Sequence, residues 1–203
     1  KSQFKIKNIN QLKGFSKFDV EIDLPGKKNL TIKKIIIPLL GMHNIRNATA
    51  ALAVAFTIGI SIEIIKASLK EFKGVQRRFN KIFTYKGCEF FDDYAHHPTE
   101  IKEVLNGVKE SYKKEEIICV FQPHRISRLQ YLRKEFSKCF IKADEVILCP
   151  IYSAGEKLKL GFKYSDFAKE IIKNSKVELI MINSEKELAK YAKHNIYGDN
   201  III

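Results

Sequence analysis

The chain has 203 residues, of which 45% are apolar and 29% charged, so it is long enough to bury a substantial hydrophobic core. It has no run of about 18 apolar residues and no apolar stretch at its start, which argues against a membrane span or a signal peptide. The formal net charge is +13, but the lysines are scattered along the chain. This pattern is typical of a solvated surface and does not favour a nucleic-acid partner.

The four cysteines show no C-x-x-C spacing. Cys119 and Cys149 lie in apolar, strand-like runs, where a thiol behaves as a small hydrophobe. We therefore expect a protein of the reducing cytoplasm and no metal site formed by these residues.

The first part of the chain predicts strands followed by helices. Apolar and polar residues alternate through residues 1–37, with a turn at Pro25-Gly26. Apolar residues then recur at helical spacing over residues 44–58 and 62–72. These patterns predict a small sheet covered by a pair of helices.

After Gly74 strands and helices alternate, which predicts an α/β domain with a Rossmann-like, doubly wound, mostly parallel sheet. The predicted strands are a pair within residues 81–91, then 117–121, 145–149, 177–182 and one from residue 200. The predicted helices start at Pro98 and cover residues 129–141, 164–173 and 184–194. We place the domain boundary near Gly74, which divides the chain into residues 1–74 and 75–203.

The two ends of the sequence predict a fragment. The chain starts without Met and ends at Ile203 within an apolar, strand-like run. Natural termini rarely lie inside a buried strand, so we expect the second domain to be truncated at its end.

Two motifs carry residues suited to a nucleotide. Asn44 and Asn47 follow His43 and lie one helical turn apart, and an amide can both donate to and accept from an adenine edge. An Asn helix cap explains the same residues. Arg78 follows a glycine at the presumed domain junction and can bind a phosphate, although a pair of adjacent arginines is more often a surface feature.

The segment from Asp93 to Glu100 is the sharpest signal, because it presents Tyr94, His96 and His97 between a strand and a helix that starts with Pro98. The amides of such a helix start favour anions. Adjacent histidines project apart, which makes a metal site the weaker interpretation. A histidine-capped helix is the structural alternative.

The next two strand ends carry further charged residues. Arg125 and Arg128 follow His124 and are three residues apart, so they can converge on one carboxylate or phosphate. Tyr152 and Glu156 follow the next strand, where the carboxylate can pair with an ammonium group. Because the carboxyl ends of parallel strands share one edge, we expect these loops to meet.

Taken together, five segments resemble the Mur ligase family: residues 41–48, 74–79, 92–101, 121–128 and 152–156. The resemblance implies an enzyme that uses ATP and Mg²⁺ to join L-alanine to the carboxylate of UDP-N-acetylmuramate through an acyl phosphate, in peptidoglycan precursor synthesis. Residues 1–74 then correspond to the end of a central ATP-binding domain, and residues 75–203 to the C-terminal ligase domain. The sequence lacks a P-loop, so the phosphate-binding lysine and the magnesium ligands are expected upstream, and the fragment alone is expected to be inactive.

The resemblance also implies roles for individual residues. The ATP-binding set is His43, Asn44, Asn47, Arg78 and Asp93. The catalytic set is His124, Arg125 and Arg128, and the substrate-binding set is Tyr94, His96, His97, Tyr152 and Glu156.

Two alternatives remain open at this point. A related ligase that joins a recycled murein tripeptide to the same sugar nucleotide has a similar segment around His96 and His97. A noncatalytic module that binds nucleotides or nucleic acid is compatible with the positive charge and the missing P-loop. The sequence does not indicate an oligomeric state.

Overall fold

A computed structural model describes residues 2–26, 28–157 and 162–203. They form two compact units. The N-terminal unit extends to Gln76 and includes residues 110–113, and the C-terminal unit contains residues 77–109 and 114–203. The assignment of residues 1–74 to an ATP-binding domain remains a prediction.

The N-terminal unit contains an antiparallel sheet in the order β1-β2-β3 and two helices. Its elements are β1 (Phe4–Leu12), β2 (Phe15–Ile22), β3 (Leu30–Ile37), α1 (Met42–Thr57) and α2 (Ile62–Glu71). Alternate residues of β2 are buried, as expected for a strand with one covered face. Phe18 and Val20 form a core with Ile45 and Leu52 of α1.

The C-terminal unit contains a six-stranded sheet in the order β4-β5-β9-β6-β7-β8. Its strands are β4 (Asn80–Tyr85), β5 (Cys88–Asp92), β6 (Glu116–Phe121), β7 (Glu145–Leu148), β8 (Glu178–Met181) and β9 (Asn200–Ile202). Its helices are α3 (Pro98–Ser111), α4 (Ile126–Tyr131), α5 (Arg133–Phe136), α6 (Tyr164–Ser175) and α7 (Glu185–Asn195). Only the β4–β5 pair is antiparallel among these described strands, so the mostly parallel sheet is confirmed.

Both faces of this sheet are covered, as a doubly wound fold requires. On one face, Ile118, Ile147 and Ile202 form a core that includes Leu188 of α7. The neighbouring strand residues point the other way because side chains alternate along a strand. On that second face Phe121 contacts the rings of Phe136 and Phe140, at centroid distances of 5.6 and 5.3 Å.

The predicted helix over residues 129–141 is wrong in its extent. The chain forms the short helices α4 and α5, and then hydrogen-bonded turns through Lys142. Ser137 is fully buried, its carbonyl accepts from the Ser175 hydroxyl at 2.8 Å, and its own hydroxyl accepts from Asn174 Nδ2 at 2.8 Å. The Ser175 side chain of α6 therefore binds a carbonyl that a continuous helix would engage in its own backbone hydrogen bond.

The parallel order places the carboxyl ends of β5, β6 and β7 at the same edge of the sheet. All the charged loops predicted for the second domain follow one of these strands. Within the described part of the chain, none of the helices combines the length and the hydropathy that crossing a bilayer needs.

Candidate functional site

The loop after β5 is attached to the turn before β4 through Asp93. Its two carboxylate oxygens accept hydrogen bonds from the amides of Phe79 and Ala95, at 2.8 and 2.7 Å. The rings of Phe79 and Phe91 stack at 4.2 Å, and the Tyr94 amide donates to the Arg77 carbonyl at 2.8 Å. These contacts join the two segments into one surface, which we call the β5 cluster (residues 77–79 and 93–100).

Arg77 covers the Tyr94 side chain in this cluster. Its guanidinium lies 4.5 Å from the centroid of the Tyr94 ring, and its Nε lies 3.4 Å from Asp92 Oδ2. Such a cation–π contact at an exposed site contributes about 0.5–1 kcal/mol. Arg78 is exposed, and its amide donates to Asn80 Oδ1 at 2.8 Å, so the two adjacent arginines have different environments.

The start of α3 is already capped by the chain itself. Glu100 Oε2 accepts from the amides of His96 and His97, at 3.1 and 3.2 Å, and the Thr99 amide donates to His97 Nδ1 at 3.3 Å. The bond from the Thr99 amide to His97 supports the alternative of a histidine-capped helix, and anion binding at this helix start stays a prediction. His96 Nδ1 lies 2.9 Å from the Tyr94 carbonyl, which orients its ring beside that of Tyr94.

The Glu100 cap makes stability depend on pH. Partial burial alone would raise the pKa of Glu100, but the hydrogen bonds from the His96 and His97 amides and the nearby charges of His96 and Arg78 outweigh it, so the pKa lies below its ordinary value of 4.5. This contribution is complete above pH 4.5 and is lost as the pH falls through the lowered pKa. We expect Glu100→Gln to reduce the free energy of unfolding by roughly 0.5–1 kcal/mol at pH 7, a small value because Glu100 is partly exposed to solvent. Below the folded-state pKa of Glu100, the substitution should have no effect.

Urea unfolding at pH 7 and at a series of lower pH values measures this difference. Glu103→Gln is the matched control, because Glu103 lies in the same helix and its side chain makes no hydrogen bond or ion pair within the described chain. An equal loss of stability at every pH would show that the charge of Glu100 does not matter.

A second group of site residues lies on the loops after β6 and β7, and we call it the β6–β7 cluster (residues 122–131 and 150–157). The rings of His124 and Tyr152 stack at 5.2 Å. The Arg125 amide donates to the Tyr152 carbonyl, and the Tyr152 amide donates to the Pro123 carbonyl, both at 2.8 Å. These bonds extend the parallel pairing of β6 and β7 into the two loops.

Ser127 connects Glu156 to the start of α4. The Ser127 amide donates to Glu156 Oε2 and its hydroxyl donates to Oε1, both at 2.8 Å. These bonds, with the nearby charge of Arg125, hold the pKa of the Glu156 carboxyl below its usual range, so it is anionic at neutral pH. The structure thus gives Glu156 a partner that the sequence analysis missed, and its predicted pairing with an ammonium group stays a prediction.

An open depression of about 700 Å³ lies beside the contact between Ser127 and Glu156. It is lined by Arg125, Ser127, Arg128, Gln130 and Tyr131. Arg128 Nη1 is buried and makes no hydrogen bond to any described residue. A buried charged donor without a partner is costly, so Arg128 Nη1 is suited to a hydrogen bond with a group from outside the described chain.

The two clusters are separated by one strand. β9 lies between β5 and β6, so the loops start two strand positions apart, which corresponds to roughly 10 Å. The predicted position of these loops at one edge of the sheet is confirmed. This spacing suits a ligand that lies across the edge of the sheet.

The remaining predicted residues lie in the N-terminal unit, in the first turns of α1. Asn44 Nδ2 donates to the Leu40 carbonyl at 2.8 Å, whereas Asn47 is exposed. The helix begins after Gly41, whose φ of 88° suits glycine, so the alternative of an Asn cap is wrong. His43 is half-buried beside them.

The described residues contain no group of three His, Cys, Asp or Glu side chains placed to hold a metal ion. The sequence analysis assigned no role to Ser127 or Arg77, or to Glu100 as a cap. The spacing of His97 and Glu100 is that of a capping box and was a usable signal for Glu100. Nothing in the sequence predicts the contacts of Ser127 and Arg77, because their partners belong to other loops.

The doubly wound α/β fold agrees with the comparison with known proteins. The sequence profile described as "Mur ligase, glutamate ligase domain" matches residues 77–203, and the chain belongs to the Mur ligase family.

Among its relatives, UDP-N-acetylmuramate–L-alanine ligase of Pelagibacter ubique is 68% identical over 203 residues, covering 100% of this chain and 44% of the relative. The corresponding ligase of Bartonella tribocorum is 47% identical over 146 residues, 72% of this chain and 30% of the relative. The crystal structure of UDP-N-acetylmuramate-alanine ligase MurC from Thermotoga maritima superposes with a TM-score of 0.78 at 27% identity, covering 100% of this chain and 42% of that one. The chain thus spans less than half the length of these relatives.

Proposed function

We propose that this chain is part of an ATP-dependent ligase that joins L-alanine to the carboxylate of UDP-N-acetylmuramate in the cytoplasm. The observation that carries the proposal is the depression beside Arg125 and Arg128, where the buried Arg128 Nη1 has no partner within the described chain. An acyl phosphate and the tetrahedral intermediate formed from it are anions that two arginines can stabilise. The names of the similar relatives supply the substrates.

Each group of residues has a proposed role. In the N-terminal unit, His43, Asn44 and Asn47 would hold the adenine ring of ATP, and the exposed amide of Asn47 fits a base that needs both a donor and an acceptor. In the C-terminal unit, Arg78 and Asp93 would contact the ribose or the phosphates. ATP with Mg²⁺ would supply the phosphoryl group, and we expect the magnesium ligands upstream of this chain.

The two clusters of the C-terminal unit would receive the amino acid and the acyl group. Arg125 and Arg128 would stabilise negative charge on the activated carboxylate, and His124 would orient the reacting groups beside them. Of the predicted substrate-binding set, Tyr94, His96, His97 and Tyr152 would contact substrate, whereas both carboxylate oxygens of Glu156 are bound to Ser127. Catalysis of this kind depends mainly on placement and on compensating positive charge.

The proposal is tested with the extended protein, meaning this chain continued upstream through the expected P-loop. Phosphate release is measured with ATP, Mg²⁺ and UDP-N-acetylmuramate, with either L-alanine or the recycled murein tripeptide. We expect release that depends on L-alanine. Release with the tripeptide alone would assign the chain to the recycling ligase, and release with neither would favour the noncatalytic module.

A further inference from the structure

We infer that Ser127 and Glu156 act together as a positioning unit that holds Arg125 and Arg128 in the orientation the ligase reaction needs. This inference rests on the proposed function. Neither residue has to touch a substrate for this role. We call the contact between these two residues the clamp, and it joins the loop after β7, which carries Glu156, to the start of α4, which carries Ser127.

The first support is the geometry of the clamp. Ser127 lies between the two arginines in sequence, and both of its polar groups are bound by one carboxylate at 2.8 Å. Helix α4 has no side-chain cap of its own, so Glu156 supplies from the neighbouring loop the acceptor that a cap residue would supply. The orientation of the helix that carries Arg128 therefore depends on Glu156.

The second support is the backbone at Arg125. This residue has φ 68° and ψ 129°, a conformation that is strained for a side chain with a Cβ. Strained backbones of this kind cost roughly 1–3 kcal/mol and persist only where surrounding contacts enforce them. The Arg125 amide is bound by Tyr152 and its carbonyl by the Leu129 amide, and the Ser127–Glu156 pair fixes the turn between those two contacts.

The third support is that the Glu156 carboxylate binds Ser127 and not the nearby Arg125 side chain. Its charge acts on the Glu156 carboxyl, yet no ion pair joins the two side chains in the described structure. Ser127 instead uses both carboxylate oxygens. The clamp thus has two effects: it fixes the turn, and it keeps a nearby anion from drawing the exposed Arg125 guanidinium away from the depression.

The experiment compares Ser127→Ala, Glu156→Ala and the double variant in the extended protein, with kcat and KM measured for L-alanine and ATP. We expect kcat with L-alanine to fall about tenfold in Glu156→Ala, because misplaced charged groups lose transition-state stabilisation. The loss should be smaller in Ser127→Ala, which keeps the amide donor, and the double variant should match Glu156→Ala. The KM for ATP should not change.

Three comparisons make the test specific. Ser127→Thr keeps a hydroxyl and should restore the activity that Ser127→Ala loses. Glu135→Gln and Ser165→Ala remove a carboxylate and a hydroxyl from exposed positions without contacts in the described chain, and both should leave kcat unchanged. A large loss in Glu156→Ala with none in Ser127→Ala would mean that Glu156 contacts substrate directly, and this result would overturn the inference. The inference would also be overturned if the reductions in kcat of the two single variants multiplied in the double variant, or if neither single variant lost activity.

A second readout separates this inference from the proposed function. Hydrogen exchange of a peptide containing residues 124–132 in the extended protein should become faster in Glu156→Ala, because the Ser127 amide loses its acceptor. This measurement needs no substrate. If the unmodified protein releases no phosphate with L-alanine, the proposed function fails while the clamp is still tested, and unchanged exchange would overturn the clamp itself.

Discussion

Replacing Arg128 with alanine in the extended protein is expected to lower kcat/KM for L-alanine by two to three orders of magnitude, or about 2.7–4 kcal/mol of transition-state stabilisation. The physical reason is that Arg128 lines the depression and keeps one buried guanidinium nitrogen free of hydrogen bonds to described residues. A donor preorganised in this way stabilises developing negative charge without rearranging. Steady-state phosphate release at saturating ATP and UDP-N-acetylmuramate measures the effect.

Two variants test whether the effect belongs to the guanidinium. Arg128→Lys keeps the positive charge but loses the planar pair of donors, so only part of the activity should return. Lys134→Ala removes a charge from an exposed position nearby and should have no effect. The Nη1 atom has no partner to lose within the described chain, so we expect the Arg128→Ala protein to remain folded. An unchanged kcat/KM for L-alanine in Arg128→Ala would remove Arg128 from the mechanism.

Replacing Phe140 with alanine is expected to reduce the free energy of unfolding by about 3–5 kcal/mol. Phe140 is fully buried, and its ring lies 5.3 Å from that of Phe121, the last residue of β6. The loss combines the transfer of an aromatic ring from water with the cavity that remains. Because Phe121 directly precedes the β6–β7 cluster, a cavity here also removes support from the loop that carries His124 and Arg125.

Urea unfolding at pH 7 measures this loss. Ile141→Ala is the control, since the neighbouring side chain is 55% exposed and its truncation should cost well under 1 kcal/mol. Phe140→Leu keeps much of the apolar volume and should lie between the two. A loss in Phe140→Ala no larger than in Ile141→Ala would mean that the turn after α5 contributes little to the core.

The strand and helix order was predictable because each element carries its own period. Alternation in β2 and the apolar runs of β6 and β7 predicted strands, and the spacing in α1 and α3 predicted helices. The helix over residues 129–141 failed for a reason that no local pattern contains. Its apolar spacing is helical, but α6 engages the hydroxyl and the carbonyl of Ser137, and the backbone follows those tertiary bonds.

In the candidate site, too, some features were predictable from the sequence and others were not. The sequence contained the charged loops and the alternation of strands and helices that predicts a parallel sheet, so which loops share one edge was predictable. It did not indicate that Asp93 would use both oxygens to hold Phe79 and Ala95, or that Glu100 would bind the amides of His96 and His97. Residue type predicts the chemistry that a side chain can do, but not which neighbour engages it.

By itself, the sequence determined the class of fold, the charged motifs and the resemblance to the Mur ligases, because hydrophobic periodicity and motif order are local properties of the chain. The tertiary structure alone decided that β9 separates the two clusters, that Glu156 binds Ser127, and that one nitrogen of Arg128 lacks a partner among the described residues. These features depend on contacts between segments far apart in sequence. Such contacts are fixed only when the packed core and the hydrogen bonds of the backbone select one arrangement of the loops.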